Sequence, residues 1–253
     1  MPYSSQNIDA LFSLIGELPA HEHQQSSHFE YLKTADSFWP NLIYNFKASP
    51  SELNPLLHQM EKEVEQGIIP PVLRIHASEI STESLAQIIK RGYKQSTWTC
   101  MSHSLNYIEE EQSSPEFKIV KLTTANQLED WLKIVELELM RNNLLSRASF
   151  EALLADQSCH FYLGYFRQKP VSTALLFEHQ NNAGIYLVAT DSNHRRKGYG
   201  QALTLKCLQE AQAHNCQKVD IQATSLGLSM YQSLGFSPDG LIHVFSLKDF
   251  PFR

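Results

Sequence analysis

A short basic turn, Asn193 to Gly200, is the part of the sequence whose residue types and spacing are best suited to chemistry. Its sequence, NHRRKGYG, follows an apolar stretch that predicts a strand and precedes a stretch that predicts an amphipathic helix. Glycines at such a junction allow backbone N–H groups to converge on an anion at the helix N-terminus. Cations are disfavoured at a bare helix N-terminus, so Arg195, Arg196 and Lys197 indicate a bound anion that neutralises them. The turn therefore predicts a phosphate-binding site.

Two motifs that the sequence lacks narrow the kind of phosphate. GxxxxGK[ST], the loop that binds nucleoside triphosphates, is absent, and so is GxGxxG, the dinucleotide-binding fingerprint. The residues alone therefore indicate a pyrophosphate-type anion and do not identify the molecule that carries it.

The second half of the chain predicts a mixed sheet with helices around this turn. Apolar alternation predicts strands, helical periodicity predicts helices, and Gly235 is expected to end the last helix. The predicted order is strand, helix, three strands, helix, strand, helix and strand. The elements are 117–122, 123–140, 159–166, 171–179, 183–190, a helix ending near 214, 218–224, 226–236 and 241–247.

The first half repeats part of this order without the basic turn. A strand at 70–77, a helix at 81–93 that ends at Gly92, and a strand at 96–105 match the last three elements of the second half. An internal duplication and a chance similarity both stay open as interpretations. Between the halves, the acidic, Ser- and Pro-containing segment 106–116 predicts a linker. We therefore expect an N-terminal domain over 1–110 and a C-terminal domain over 117–253.

The composition predicts a soluble, cytoplasmic globular protein. The chain has 253 residues, is 42% apolar and carries a formal net charge of −6, which argues against nucleic-acid binding. We expect neither a signal peptide nor a membrane span, because the N-terminal segment has no basic region and no apolar run is long enough. The cysteines have no paired or metal-ligand spacing, so we expect reduced, mostly buried thiols and no metal site. They are Cys100, Cys159, Cys207 and Cys216.

Two motifs give the second half a resemblance to a known family. VATDSNHRRKGYGQAL, followed by a helix, the strand KVDIQAT and then MYQSLGF, resembles the GNAT superfamily of acetyl-CoA-dependent N-acetyltransferases. That family carries [RQ]-x-x-G-x-[GA] after its fourth strand and Tyr-x-x-x-Gly-Phe about thirty residues later. The resemblance covers roughly 117–253 and implies an α/β (α+β) fold with a mixed, largely antiparallel sheet flanked by helices. With the repeated element order, it raises the hypothesis of a tandem of two GNAT-like domains, the first one degenerate.

The resemblance also implies a cofactor site and a proton donor. The backbone of Val188, Ala189 and Thr190 would pair with the pantetheine arm of acetyl-CoA, and the turn would hold the pyrophosphate. Tyr231, in MYQSLGF, is similar to the family's tyrosine that protonates the departing thiolate. The residues of the turn are Arg195, Arg196, Lys197, Gly198, Tyr199, Gly200 and Gln201.

The general base departs from the family's pattern. Many members carry a glutamate on the fourth strand, and the corresponding position, eleven residues before Arg195, is Gly184. Glu178 and His179, at the end of the preceding strand, are the nearest titratable substitutes, and Tyr186 is a candidate proton relay. We take Glu178 as the candidate base.

The sequence therefore predicts an acetyl-CoA-dependent N-acetyltransferase in which a primary amine attacks the thioester directly. The acceptor is a small-molecule, peptide or protein amine, and the chain is expected to be a monomer or homodimer. Two alternatives stay open. One is a non-catalytic acyl-CoA-binding regulatory module, raised by Gly184 in place of the carboxylate. The other is an acyltransferase with a different acyl donor, raised by the repeated layout.

Overall fold

The computed structural model describes residues 5–106 and 116–248. Residues 107–115, most of the predicted linker at 106–116, lie outside the described residues. In the two described ranges the chain forms seven α-helices: α1 (Ser5–Gly16), α2 (Pro50–Glu65), α3 (Thr82–Lys90), α4 (Ala125–Glu138), α5 (Arg147–Ala155), α6 (Tyr199–Ala213) and α7 (Leu228–Ser233).

The same ranges contain eleven strands. They are β1 (His21–Gln25), β2 (Glu30–Thr34), β3 (Leu42–Tyr44), β4 (Val72–His76), β5 (Lys94–Ser104), β6 (Phe117–Lys121), β7 (Cys159–Phe166), β8 (Lys169–His179), β9 (Asn182–Thr190), β10 (Lys218–Ala223) and β11 (Ser237–Ser246).

The elements predicted for the second half are confirmed, with small shifts at their ends. The last strand begins at Ser237 rather than at 241, and α4 occupies Ala125–Glu138 within the predicted 123–140. The prediction was wrong in omitting α5. That helix begins after Ser146, whose side chain accepts a hydrogen bond from the Ser149 amide at 3.4 Å.

The strands of the described residues form one sheet. Its order is β1-β2-β3-β4-β11-β5-β10-β9-β8-β7-β6. Neighbouring strands are antiparallel except for β3 with β4 and β9 with β10, which are parallel. This confirms the prediction of a mixed, largely antiparallel sheet flanked by helices.

One order of elements occurs twice in this sheet, with the final strands exchanged. Three strands, a helix, a strand, a helix and a strand run from β1 to β5 and again from β7 to β11. In each copy the third and fourth strands form the parallel pair. The last strand of the first copy, β5, lies beside β10, and the last strand of the second, β11, lies between β4 and β5. The two copies thus share one sheet, and the division at 110 and 117 stays a prediction.

Alternating residues of the central strands face different helices. In β8, Leu175 and Phe177 pack in a hydrophobic cluster with residues of α1, α4 and α5. Ala174 and Leu176 of the same strand pack in a second cluster with residues of α6. Because neighbouring strand residues point to opposite faces, α1, α4 and α5 cover one face here and α6 covers the other.

The helix that follows the basic turn is fixed by one buried stripe. Its buried residues recur at helical spacing, so one side of α6 packs on β8 and β9 and the other meets solvent. These residues are Tyr199, Leu203, Thr204, Cys207, Leu208 and Ala211. The packing fixes the direction of α6 and therefore the place of the turn at its N-terminus.

Among the described residues, every helix is too short or too polar to cross a lipid bilayer.

Candidate functional site

Strands β9 and β10 pair only at their beginnings. The parallel register runs from Asn182↔Lys218 to Gly184↔Asp220, whereas β9 continues to Thr190. Beyond Gly184 the edge of β9 that faces β10 is therefore open to another extended group. A gap of this kind admits a linear ligand that hydrogen-bonds to the strand backbone.

A β-bulge reorients β9 within the gap. The register with β8 passes from Tyr186↔Leu175 to Ala189↔Thr173, so two residues of β9 oppose a single residue of β8. Leu187, inside the bulge, has φ 51°, a left-handed conformation that is unusual for a branched side chain. The hydroxyl of Thr173 donates a hydrogen bond to the Leu187 carbonyl at 2.9 Å and holds the bulge in place. Strain of this kind is concentrated at functional sites.

The basic turn leads directly from β9 into α6. A short 3-10 helix, Ser192–His194, is followed by Arg196 with φ 62° and Gly198 with φ 82°, and Gly198 is the residue that precedes the first helical position. A Cβ at Gly198 would meet no atom within 4 Å, so the backbone conformation, and not a lack of space, requires the glycine. The first N–H groups of α6 point into the turn without helical acceptors.

The three cations of the turn have different surroundings. Arg195 donates to a carboxylate oxygen of the buried Glu138 at 2.5 Å and to the Thr190 carbonyl at 3.3 Å. The other oxygen of Glu138 accepts a hydrogen bond from the Ser192 amide at 2.8 Å. The Arg196 side chain is exposed, and the Lys197 ammonium, also exposed, lies 5.6 Å from the centre of the Phe166 ring. Arg195 therefore anchors the turn, while Arg196 and Lys197 face solvent.

The remaining residues of the turn connect it to the neighbouring strands and to α7. The Tyr199 ring stacks on Phe117 with ring centres 4.3 Å apart. A Cβ at Gly200 would lie 3.4 Å from the Thr190 hydroxyl and 3.6 Å from the Met230 sulfur, so β9, α6 and α7 meet closely at this glycine. Gln201 is exposed on the first turn of α6.

Tyr231 lies on α7, on the α6 side of the sheet. Its half-buried ring belongs to the cluster that includes Val188 of β9, and it meets Phe236 edge to face at 5.8 Å. Burial raises the pKa of the Tyr231 hydroxyl well above its ordinary value. The hydroxyl is therefore protonated at neutral pH, the form required of a proton donor.

Glu178 lies at the opposite end of α6 from the turn. One of its oxygens is 2.6 Å from Nδ1 of His214, the residue that follows α6, and 3.0 Å from Nε2 of His160. A helix of this length separates the Glu178 cluster from the turn by roughly 20 Å. The structure thus brings the turn, Val188–Thr190 and Tyr231 around one end of α6 and places Glu178 at the other.

The structure gives the reason for glycine at position 184. A Cβ there would lie 2.1 Å from the Tyr186 hydroxyl oxygen and 2.2 Å from the side-chain oxygen of Asn7. Tyr186 donates a hydrogen bond to that Asn7 oxygen at 2.6 Å, across the space that a longer side chain would occupy. Burial raises the pKa of Tyr186 well above its ordinary value, so this hydroxyl is also protonated.

Sequence reasoning missed a buried carboxylate, Asp220, on the face of the sheet that α1 covers. Val219, Ile221 and Ala223 of β10 pack toward α6, so Asp220 points to the opposite face. Asp220 is 2% exposed and Lys218 lies 2.9 Å from it, yet burial outweighs the lysine and raises the pKa of the carboxyl. An acidic residue within the apolar alternation of KVDIQA was the available signal.

A cavity of about 290 Å³ opens beside Asp220. Asn7 of α1, Asn182 of β9 and Lys218 of β10 are among the residues that line it. It lies where β9 and β10 are still paired, just before they diverge. A polar molecule in this cavity would approach the diverging strands from the face opposite α6.

Comparison with known proteins identifies first the fold and then the family of the domain. A GCN5-related N-acetyltransferase from Kribbella flavida superposes with a TM-score of 0.70 over 95% of each chain, at 14% identity. Another from Sphaerobacter thermophilus has a TM-score of 0.66 over 97% of this chain and 87% of that chain, at 12% identity. A tandem GNAT protein from the clavulanic acid biosynthesis pathway has a TM-score of 0.61 over 96% and 89%, at 12% identity. The fold is therefore that of GNAT N-acetyltransferases, including tandem ones.

The sequence itself places a family domain in the second half. Residues 125–236 match the family described as Acetyltransferase (GNAT) family, so the chain contains a GNAT acetyltransferase domain there. This confirms the resemblance seen in the two motifs. The search of curated proteins gives no match.

Proposed function

We propose that the protein transfers an acetyl group from acetyl-CoA to a primary amine by direct attack of the amine on the thioester. The observation that carries this proposal is the open edge of β9 beyond Gly184, which ends at a glycine turn in front of α6. A strand edge suits the amides of a pantetheine arm, and the turn suits a pyrophosphate. Both lie within the GNAT domain.

On the donor side, each group has a separate task. The backbone of Val188, Ala189 and Thr190 pairs with pantetheine, while the turn from Arg195 to Gln201 binds the pyrophosphate through its N–H groups. Arg196 and Lys197 supply positive charge from solvent-facing positions, and Arg195 acts through its ion pair with Glu138. A cofactor held at both ends would place its thioester within the gap between β9 and β10.

The reaction forms one bond and breaks another. The neutral amine nitrogen attacks the carbonyl carbon, an N–H group at the β9 bulge polarises the carbonyl oxygen, and the C–S bond then breaks. The nitrogen loses a proton to a base. The Tyr231 hydroxyl protonates the departing thiolate, and Tyr231 then regains a proton from solvent. Tyr231 suits this task because its hydroxyl is protonated and lies on the α6 side of the gap.

For the base we favour Asp220 over Glu178. An alkylamine has a pKa of about 10, so it is charged at neutral pH and must be deprotonated before it attacks. Asp220 borders the cavity next to the gap, and burial raises the pKa of its carboxyl above the ordinary value. Glu178 lies on the opposite face of the sheet, toward α6, and is already engaged by two imidazoles. The Asp220 carboxylate also suits the acceptor amine while that amine is still a cation.

Calorimetric titration with acetyl-CoA tests the donor site. Arg196→Glu is expected to weaken binding roughly 10- to 100-fold, because it replaces a charged phosphate contact with repulsion. Gly198→Trp is expected to abolish binding, because it strains the φ 82° backbone and fills the turn. Lys118→Glu makes the same charge reversal on an exposed residue of β6 and serves as the control. Undiminished binding by correctly folded Arg196→Glu and Gly198→Trp variants would refute the donor site.

Release of free thiol with a panel of primary amines separates an enzyme from a binding module. Tyr231→Phe is expected to lower kcat with little change in acetyl-CoA affinity. Asp220→Asn is expected to lower kcat. In the wild type we expect activity to fall as falling pH protonates this carboxylate, and the variant should lack that dependence. Binding without thiol release on any amine would favour the regulatory module, and faster release from a longer acyl-CoA would favour a different donor.

A further inference from the structure

Three side chains that the proposed reaction does not use converge beside the end of α6. His160 comes from β7, Glu178 from β8 and His214 from the residue after α6. His160 pairs across the sheet with Leu176, two residues before Glu178, so His160 and Glu178 project from the same face. Their ligand atoms, with Nδ1 of His214, all lie within 4.8 Å of one another. We call these three residues the His–Glu–His cluster.

His160 is the least accessible member of the cluster, and one of its ring nitrogens has no hydrogen-bond partner. The residue is 8% exposed, and its Nε2 atom makes no hydrogen bond among the described residues. That nitrogen lies 3.0 Å from a carboxylate oxygen of Glu178, so the two atoms are close enough to bind one ion between them. A buried imidazole nitrogen that faces a carboxylate oxygen at this distance is satisfied when both atoms bind the same proton or the same cation.

We propose that the His–Glu–His cluster binds a divalent transition-metal ion and that Zn²⁺ is the ion it fits best. Two imidazole nitrogens and one carboxylate oxygen form a ligand set typical of three-ligand zinc sites, with a fourth position for water. Neighbouring ligands of a tetrahedral Zn²⁺ are roughly 3.3 Å apart when the bonds are roughly 2.0–2.1 Å long. The distances from Glu178 to the imidazoles are shorter, 3.0 and 2.6 Å, so a bound ion would move Glu178 away from them by roughly 0.3 and 0.7 Å.

The surroundings of the cluster also suit a metal ion. The nearby charged groups that act on His160 include Lys121 and Glu178. The C-terminus of α6 presents the negative end of its dipole to the cluster. The Lys121 charge opposes a cation, and the Glu178 carboxylate offsets it. A bound ion would clip the end of α6 to β7 and β8.

Metal content and metal binding test the proposal directly. Chain purified without chelator is expected to hold about one Zn²⁺ by mass spectrometric metal analysis, and the chelated chain is expected to rebind one Zn²⁺ in calorimetry. At about 100 times the dissociation constant, Zn²⁺ is expected to raise the melting temperature by roughly 5–10 °C. Co²⁺ in the same site should show the visible absorption of a tetrahedral ion.

Variants separate a metal site from a hydrogen-bonded cluster. His160→Gln and His214→Ala should each weaken Zn²⁺ binding more than the roughly 10- to 100-fold lost when a supporting contact of a metal ligand is removed. His58→Ala removes an exposed imidazole that also lies near a carboxylate, 3.6 Å from Glu61, and should leave Zn²⁺ binding unchanged. Circular dichroism identifies any variant that fails to fold. In that case the Co²⁺ absorption of the wild type decides whether the cluster binds a tetrahedral ion. No Zn²⁺ binding by the wild type, or equal binding by wild type, His160→Gln and His214→Ala, would overturn the proposal.

Discussion

Replacing Glu138 with alanine is expected to destabilise the protein and to loosen the basic turn, although Glu138 lies outside the proposed cofactor site. Glu138 is 4% exposed, and its two oxygens accept hydrogen bonds from the Ser192 amide at 2.8 Å and from Arg195 at 2.5 Å. Each hydrogen bond to a buried charge contributes about 1.5–3 kcal/mol. The Arg195 side chain is 47% exposed and regains water, so we count its bond at the low end. The expected loss is about 3 kcal/mol, or roughly 6–12 °C in Tm for a chain of this size.

Thermal and urea unfolding measure this loss, and acetyl-CoA titration measures its effect on the turn. In Glu138→Ala the loosened turn must be ordered when acetyl-CoA binds. If this ordering costs about 1.4 kcal/mol, the affinity falls about tenfold. Glu138→Gln keeps an acceptor for the Ser192 amide and should lose about half as much stability. Glu151→Ala breaks an exposed pair with Arg147 and should cost only about 0.5 kcal/mol. Equal losses for Glu138→Ala and Glu151→Ala would refute the reasoning.

Two further predictions concern the interior. Gly184→Ala should lower the free energy of unfolding by about 1–3 kcal/mol in urea titrations, because its Cβ would lie 2.1 Å from the Tyr186 oxygen. Tyr186→Phe removes that oxygen and should recover part of the loss, so strict additivity of the two changes would contradict this account. At pH 8, iodoacetamide should alkylate none of the cysteines of the native chain and all four of the denatured chain. Mass spectrometry counts the alkyl groups added. Burial protects these thiols, and it raises the pKa of Cys159 to about 12 and that of Cys216 to about 11. Rapid labelling of the native chain would contradict this prediction. The four are Cys100, Cys159, Cys207 and Cys216.

The sequence predicted the helices and strands of the second half well because their signals are local. Continuous apolar runs mark β7, β8 and β9, and the glycine turn marks the start of α6. The ending of α7 before Gly235, which has φ 87°, likewise depends on a single residue. In contrast, α5 was missed because it is short and buries only Ser149, Phe150 and Leu153.

Features that depend on distant pairings escaped the sequence analysis. Nothing in the pattern of β5 or β11 specifies which strand lies beside it, so the exchange of the two strands was not predicted. Asp220 was overlooked because its burial follows from the position of β10 within the sheet. The two histidines that reach Glu178 come from β7 and from the end of α6, so their proximity exists only in the folded chain. The assignment of Glu178 as the base stays a prediction, next to our proposal of Asp220.

Because β5 and β11 are exchanged, two strands of the first half wait for a partner strand that the ribosome makes last. The ribosome releases β4 and β5 early, but the strand that joins them is synthesised only after α6, β10 and α7. Until β11 arrives, the facing edges of β4 and β5 are unpaired, and unpaired edges recruit strands from other chains. We therefore expect the nascent first half to need protection by chaperones or rapid completion of the second half. A fragment that ends before Ser237 should accumulate as aggregates, while the two halves synthesised as one chain close both edges together.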